Sequence, residues 1–421
     1  MDKNRYGGLA VAGQGYVGLP LAMAAVDAGY SVTGIDLDLR KIEALKAGHS
    51  GVEDVSNDQI RSALDRGLYH PTDDFGRAFG FSVAIITVPT PLKEGAPDLS
   101  FIESAASSLA PLVTIGSTVI LESTTYPGTT DELLMPILEN GSGLRAGIDF
   151  FVGYSPERID PGNKEWNLLN TPKVVSGINP GSLEKVKSFY ENLGILAVPV
   201  SGTREAEMTK LLENTFRHVN IALVNELAKF SSQLGVNLWE AIDAATTKPF
   251  GFMRFTPGPG VGGHCLPIDP SYLSWAVKDK VGAEFKFVSL ANEVNDSMAH
   301  FVVQRAREIL DRSGTPLKGA AVLLIGLAYK PDTGDMRESP AAAISHQLNL
   351  LGANLSAIDG HVVEHAWPQS IKRAQDGDPG QFDIAVLITN HSGTNHDWAL
   401  RSSRVVLDTR NCLRGDNVEL L

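Results

Sequence analysis

The sequence predicts an α/β protein: two Rossmann-like domains joined by a long central helix and a helical middle domain. Three observations carry this. A glycine-rich turn, Gly13-Gln14-Gly15-Tyr16-Val17-Gly18, links an apolar run to a helical run. From Ala206 to Leu234, apolar residues recur at helical spacing with neither glycine nor proline. From about residue 313 onward, the strand–helix–strand theme of the opening returns. The domain boundaries read from these changes are 1–205, 206–312 and 313–421.

Leu9 to Ala12 reads as a strand, Leu19 to Gly29 as a helix, and Tyr30 to Asp36 as a second strand ending in an acid. Gly13-x-Gly15-x-x-Gly18 thus follows a strand and opens a helix, with Asp36 18 residues beyond Gly18. This context marks a dinucleotide turn. The glycines admit a pyrophosphate to the helix N-terminus, and Asp36 accepts from a ribose diol. Further strands, Phe81 to Val88, Ser117 to Glu122 and Phe150 to Tyr154, each run into a polar, turn-rich segment, as a binding edge requires. Leu212, Phe216, Val219, Leu223, Leu227, Phe230 and Leu234 then mark one helix about 40 Å long at 1.5 Å per residue. Such a stripe is a plausible dimer surface. Trp239 to Ala245 and Glu284 to Asp311 read as helix. Ala321 to Gly326, Leu355 to Asp359, Phe382 to Thr389 and Arg404 to Leu407 read as strands, and Ala341 to Leu351 as a helix. The first turn of this last region has Leu327-Ala328-Tyr329-Lys330 where the opening has glycines, which implies a different ligand.

A chain of 421 residues exceeds one ordinary core. Its 43% hydrophobic and 20% charged residues describe a soluble globular protein. The start reads as no signal peptide, and no apolar run is long enough to span a bilayer. Two distant cysteines make no disulfide framework and suit the cytoplasm. A net charge of −13 argues against nucleic-acid partners, while a few local cations still suffice for an anionic small molecule.

One of the two cysteines, Cys265, sits in a glycine–proline loop, Thr256-Pro257-Gly258-Pro259-Gly260-Val261-Gly262-Gly263-His264-Cys265, with Asp269 four residues on. It is either a nucleophile presented to a substrate or a small residue in a turn. A nicotinamide domain and a loop thiol together suggest oxidation through a thioester. Lys210 and Asn214, one turn apart, are an oxyanion-stabilising pair or a solvated helix face. Glu157 and Asp269 are the candidate acids or bases for a hydrolytic water. Arg254, Lys330, Arg337 and Arg410 are surface charges or, together, a diphosphate clamp. His361-Val362-Val363-Glu364-His365 fits a metalloprotease spacing. It follows a strand end with no third ligand in view, and reads as a surface helix start; no metal is expected.

These residues resemble the UDP-glucose/GDP-mannose dehydrogenase family over essentially the whole chain. The motifs are Gly13-x-Gly15-x-x-Gly18 with Asp36, Ser123-Thr124-Thr125-x-Pro127-Gly128, Ser155-Pro156-Glu157-Arg158, Glu207-x-x-Lys210-x-x-x-Asn214, the Gly258–Cys265 loop, and Tyr329-Lys330-Pro331-x-x-x-Asp335-x-Arg337-Glu338-Ser339-Pro340. The resemblance implies oxidation of C6 of a nucleotide-activated hexose to a carboxylate with two NAD⁺. Cys265 would be the nucleophile and Lys210 the oxyanion stabiliser or acid/base. Thr124, Glu157, Asn214 and Asp269 would order the water and the sugar hydroxyls. Gly13, Gly15, Tyr16, Val17, Gly18, Asp36, Pro89, Thr90, Thr124 and Arg337 would hold NAD. Glu157, Arg158, Lys210, Asn214, Arg254, Phe255, Pro257, Gly258, Gly262, Tyr329, Lys330 and Arg410 would hold the sugar nucleotide, a UDP- or dTDP-sugar. The stretch Ser155 to Gly162 is similar to the branch acting on UDP-N-acetylhexosamines, found in polysaccharide pathways. The sparse cysteines and the apolar stripe of the long helix lead to the expectation of a cytoplasmic homodimer, with the substrate bridging the two α/β domains. The other class of reading is a two-electron hydroxyacid-type dehydrogenase, or a non-catalytic nucleotide-binding regulator, with Cys265 structural.

Overall fold

The computed structural model describes residues 7–159, 163, 165–263, 266–378 and 381–421. The chain divides into two compact units: residues up to 213 with 275–281, and residues 214–274 with 282–421. The division passes inside two helices, Thr203–Ser231 and Asp269–Val281.

The first unit is built on an eight-stranded sheet. Its strands are β1 (Gly8–Ala12), β2 (Ser31–Ile35), β3 (Tyr69–Thr72) and β4 (Phe81–Ile86). After a small hairpin, β5 (Leu92–Lys93) and β6 (Ala96–Pro97), come β7 (Thr118–Leu121), β8 (Phe151–Tyr154), β9 (Lys173–Gly177) and β10 (Ala197–Pro199). The spatial order is β10-β9-β8-β7-β4-β1-β2-β3, parallel throughout except where β8 meets β9. Continuous apolar strands such as Thr118-Val119-Ile120-Leu121 are buried on both faces, as a parallel sheet covered by helices requires. Alternation divides the two cores: Leu9 and Val11 of β1 enter one cluster, Ala10 and Ala12 the other. Helix Gly18–Ala28 ends on Gly29, whose φ of 105° suits the left-handed cap.

The second unit carries a six-stranded, wholly parallel sheet of order β13-β12-β11-β14-β15-β16. These are β11 (Ala321–Ile325), β12 (Asn354–Ile358), β13 (Lys372–Arg373), β14 (Ile384–Leu387), β15 (Val406–Asp408) and β16 (Val418–Leu420). Val322 and Leu324 face a core shared with helices Lys286–Arg312 and Pro340–Leu350; Leu323 and Ile325 face the other side with Trp398. Two sheets with helical segments between them in sequence match the predicted fold class. The central helix starts at Thr203, slightly earlier than its apolar stripe, and ends at Ser231. Its stripe is not a core face: Leu223, Leu227 and Phe230 remain 39–55% exposed. Among the described residues, no helix is long and apolar enough to cross a membrane.

The second sheet is tied to its loops by Asp359, just past β12. Its Oδ2 accepts from the Leu327 and Ala328 N–H groups at 2.7 and 3.1 Å and faces His391 Nε2 at 3.0 Å. Its Oδ1 accepts from His361 and Val362 N–H at 2.9 and 3.1 Å. Burial alone would raise its pKa, but the bonds from His391 and the backbone outweigh that and hold the carboxyl well below the usual carboxylate range. Its stabilising contribution is therefore present above about pH 4 and is lost as the pH falls through the lowered folded value. Asp359→Asn turns an NH₂ group toward backbone donors. It should destabilise the unit by about 2–4 kcal/mol, lower the first melting transition at pH 7, and weaken the acid sensitivity of that transition. Unchanged melts at both neutral and acid pH would show that the carboxylate is dispensable.

Candidate active site

The turn after β1 shows which glycines the protein itself demands. A Cβ at Gly18 would lie 1.9 Å from the Gly13 carbonyl oxygen, and one at Gly13, whose φ is 97°, would lie 2.6 Å from the Thr87 carbonyl oxygen. A Cβ at Gly15 meets nothing within 4 Å. Packing therefore explains Gly13 and Gly18. Gly15 keeps open space over the start of helix Gly18–Ala28, which is where a pyrophosphate binds. Asp36, at the end of β2, accepts from Gln14 N–H at 2.9 Å, Asp38 N–H at 3.0 Å and Lys41 Nζ at 2.6 Å. Gln14 is buried and locked by Tyr69, whose hydroxyl donates to its Oε1 at 2.7 Å. The residues present thus fit a dinucleotide: an open glycine, a helix N-terminus and a strand-end acid.

Pro89 and Thr90 follow β4, and Thr124 follows β7, along the same carboxyl edge. Ser123 Oγ donates to the Val88 carbonyl at 2.8 Å and so joins these two loops. The turn beyond Thr124 is held by Glu207 from the long helix. Its carboxylate accepts from Gly128 N–H at 2.6 Å, Thr130 N–H at 2.9 Å and Thr130 Oγ1 at 2.7 Å. Burial pushes the Glu207 carboxyl up to about 7 despite these bonds.

Below this edge lies a buried charge network. Lys173, opening β9, places Nζ 3.0 Å from Glu122 Oε2 and 3.2 Å from Glu157 Oε2. Tyr190 donates to Glu122 Oε1. Glu157 Oε1 accepts from the Arg158 and Ile159 N–H groups, each at 2.6 Å. Burial would raise the Glu157 pKa, but Lys173 and Lys210 outweigh it and keep the carboxylate ionised. Burial wins at Glu122, whose pKa is raised despite Lys173. Burial also opposes the Lys173 ammonium, and the two carboxylates restore it. Lys210 Nζ donates to the Glu157 carbonyl oxygen at 2.5 Å, so the Glu157 segment holds this lysine through its main chain. Arg158 is turned to Glu213 at 2.7 Å and to the Pro172 carbonyl at 2.6 Å. Sequence reasoning missed Glu122, Lys173 and Tyr190; the available signal was a charge at the end or start of an otherwise apolar strand.

In the second unit, Asn214 Nδ2 donates to Asp269 Oδ2 at 2.6 Å, and both residues are buried. Cys265 and His264 lie outside the described residues, as do Asp160 to Gly162. The rest of the glycine–proline loop is packed on the last α/β region. A Cβ at Gly258 would lie 2.7 Å from Arg410 Nη1, at Gly262 2.8 Å from Tyr329 Cβ, and at Gly263 2.7 Å from the Tyr329 ring. Gly263 N–H donates to the Arg337 carbonyl at 3.1 Å. Glycine is required for this approach, which brings Pro257, Gly258, Gly262, Tyr329 and Arg410 into one neighbourhood. Arg410 Nε donates to the Ile388 carbonyl at 2.8 Å, and burial lowers its pKa to about 10, so the guanidinium stays charged at neutral pH. Lys330 Nζ lies 5.7 Å from the centre of the Tyr329 ring. Phe255 meets Phe216 edge-on at 5.8 Å. Arg254 is paired with Asp243 at 2.8 Å, and Arg337 forks onto Asp335 at 2.6–3.1 Å.

The His-x-x-Glu-His spacing dissolves in three dimensions. Glu364 pairs with Arg373, while His361 stacks on His391 with ring centres 4.6 Å apart. Asp332, His361 and His391 offer ligand atoms within 4.8 Å of one another. His391 Nδ1 accepts from Asp332 N–H at 3.0 Å and Nε2 faces Asp359, while both Asp332 oxygens accept from Ser392, at 2.8 and 2.6 Å. The trio closes its own loops.

Known proteins of similar sequence and fold are recognisable along the whole chain. The NAD binding, central and UDP binding domains of the UDP-glucose/GDP-mannose dehydrogenase family match residues 8–194, 204–297 and 323–415. A UDP-N-acetyl-D-mannosamine dehydrogenase of Pyrococcus horikoshii is 34% identical over 415 residues, 96% of each chain. A UDP-N-acetyl-D-glucosamine 6-dehydrogenase of Pseudomonas aeruginosa is 35% identical over 390 residues, 91% of this chain and 90% of that one. The solved UDP-D-ManNAc dehydrogenase of Pyrococcus horikoshii superposes with a TM-score of 0.87 at 32% identity, covering 98% of both chains. The chain belongs to the UDP-glucose/GDP-mannose dehydrogenase family and is an NAD-dependent nucleotide-sugar dehydrogenase.

Proposed function

We propose that the protein oxidises C6 of a UDP-N-acetylhexosamine to the carboxylate, a four-electron reaction with two NAD⁺ that passes through a thiohemiacetal and a thioester on Cys265. The observation that carries the reading is the packing of the Gly258–Gly263 segment, which leads to Cys265, against Tyr329 and Arg410. It joins the nucleophile's loop to the region matched by the UDP binding domain. The sugar class is supported by the relatives' names and by the Ser155-Pro156-Glu157-Arg158 segment.

NAD, when bound at Gly13–Gly18 and Asp36, accepts the hydride in each oxidation. Pro89, Thr90 and Thr124 flank it, with Arg337 as the fourth residue of that set. The chain's own groups do the rest. Cys265 Sγ adds to the C6 aldehyde, and the resulting hydroxyl loses its proton as the thioester forms. Water then adds to the thioester carbonyl, the C–S bond breaks, and the thiol and a carboxylate are released. Lys210, anchored on the Glu157 carbonyl, stabilises the oxyanion. Glu157, held by Lys173 and backbone donors, and Asp269, oriented by Asn214, are the two carboxylates proposed to activate the water. Tyr329, Lys330 and Arg410 hold the diphosphate end, with Phe255, Pro257, Gly258 and Gly262 lining the sugar and Arg158 and Arg254 completing the set.

NADH counted per sugar tests the reaction: two are expected with UDP-N-acetylmannosamine or UDP-N-acetylglucosamine, and far slower turnover with UDP-glucose and dTDP-glucose. Cys265→Ser should lower carboxylate formation by about 10³-fold or more while sugar-nucleotide binding persists. One NADH per sugar, or near-normal turnover by the variant, refutes the thioester route.

NAD should exceed NADP in kcat/KM by at least about tenfold, because a 2′-phosphate would meet the Asp36 carboxylate. Comparable efficiency with the two cofactors would show that Lys41 neutralises the acid enough to admit the phosphate.

We further propose a homodimer through the helix Thr203–Ser231, whose outward Leu223, Leu227 and Phe230 leave an apolar stripe uncovered. Light scattering should give twice the chain mass at micromolar concentration, and Leu223→Glu with Leu227→Glu should shift it to one. A monomer in the unaltered protein rules this out.

A further inference from the structure

The glycine–proline loop is held from below by a chain of buried amides whose direction is forced. Gly258 N–H donates to Asn225 Oδ1 at 2.9 Å. A backbone N–H only donates, so Asn225 must turn its oxygen to the loop and its NH₂ away from it. That NH₂ donates to Asn295 Oδ1 at 2.9 Å. Asn295 is thereby fixed as well, and its NH₂ faces His218, 3.4 Å from Nδ1 and 3.4 Å from the carbonyl oxygen. His218 Nε2 lies 2.7 Å from Asn292 Oδ1. A neutral ring with its proton on Nε2 satisfies every member, with Nδ1 offering a lone pair to the Asn295 amide. His218, Asn225 and Asn295 are all buried, at 1%, 0% and 4% exposure, so water cannot substitute for a lost partner.

A proton on Nδ1 breaks this order. It sets a donor against the Asn295 NH₂. Turning Asn295 over would relieve that clash but set its NH₂ against the Asn225 NH₂. Turning Asn225 in response would leave Gly258 N–H facing another donor. The charge on His218 is thus transmitted to the loop by two amides that have only two orientations each. Asp296, on the same helix as Asn292 and Asn295, is the charged group recorded against His218 and favours the imidazolium. Burial outweighs it and keeps the ring neutral at physiological pH.

We propose that Asn225 and Asn295 are positioning residues for the loop that carries Cys265, and that neutral His218 holds them in the orientation that anchors Gly258. The proposal rests on the reading of Cys265 as nucleophile. The test is the pH dependence of kcat/KM for UDP-N-acetylmannosamine, or whichever UDP-N-acetylhexosamine turns over, in the whole enzyme, its His218→Asn variant and its Asn225→Ala variant. The unaltered enzyme should lose activity by about tenfold per pH unit once the pH falls below the ordinary histidine range and His218 takes up a proton. His218→Asn keeps an acceptor toward Asn295 and cannot be protonated, so this limb should vanish. Asn225→Ala should cost about tenfold at pH 7.5 and also lack the limb, while NADH affinity, read by fluorescence titration, stays unchanged. If His218→Asn does not fold, Asn225→Ala carries the same comparison. An acid limb of equal position in all three proteins overturns the proposal. So does a set of melting shifts with no change in the profile, which is what mere structural support predicts. Cys265→Ser is run alongside: full turnover there would end the nucleophile reading while leaving the amide chain judged by its own profiles.

Discussion

Within each unit, carboxylates at the carboxyl ends of strands tie down the loops that follow. A parallel strand delivers its loop with unpaired N–H groups pointing into the carboxyl edge of the sheet, and a buried donor without a partner costs more than a typical hydrogen bond returns. Asp359 collects four such donors and His391. Asp408, the last residue of β15, collects the N–H groups of Arg410, Cys412 and Leu413. Glu157, beyond β8, collects those of Arg158 and Ile159. Asp36, beyond β2, collects those of Gln14 and Asp38.

The same device gives the two sheets different ligands. The Asp36 side chain is 12% exposed and lies beside a turn whose middle glycine borders open space. The Asp359 side chain is fully buried and already consumes the Leu327 and Ala328 N–H groups that a glycine-rich turn would offer to a phosphate. The second turn is closed by its own acid. In the proposed site the nucleotide is met instead by Tyr329, Lys330 and Arg410.

How much of this was legible depended on sequence distance. The nucleotide turn was legible because its parts lie within one βαβ unit and each has a local geometric reason. The strands were legible because burial on both faces makes continuous apolar runs. The Lys173 network was not. Its partners lie 16, 51 and 68 residues from one another along the chain, and among them only Glu157 stood out in the sequence. The amide chain was hidden for the same reason, since Asn225 and Asn295 are 70 residues apart on two helices. The stripe from Leu212 to Leu234 was legible as a helix, but periodicity alone does not say whether an apolar face meets its own chain or another copy. The metalloprotease spacing misled in the opposite sense: residues adjacent in sequence found partners elsewhere, His361 with His391 and Glu364 with Arg373.

The two buried networks solve one problem by different means. Lys173 between two carboxylates is a charged solution, in which close pairing and backbone donors offset desolvation at Lys173 and Glu157, while burial still prevails at Glu122. Removing one member would leave an uncompensated charge. The Asn225–Asn295–His218 chain is a neutral solution, cheaper to bury and fixed in direction by the Gly258 N–H at its end. The first includes Glu157, whose carbonyl oxygen holds Lys210, the cation proposed to stabilise the oxyanion. The second sits under a glycine–proline loop whose backbone has few regular hydrogen bonds of its own. A charged anchor resists displacement; an amide chain sets orientation. The loop needs the latter, because glycines at 258, 262 and 263 let it approach Arg410 and Tyr329 closely, and that same freedom must be restrained by something whose geometry admits a single polarity.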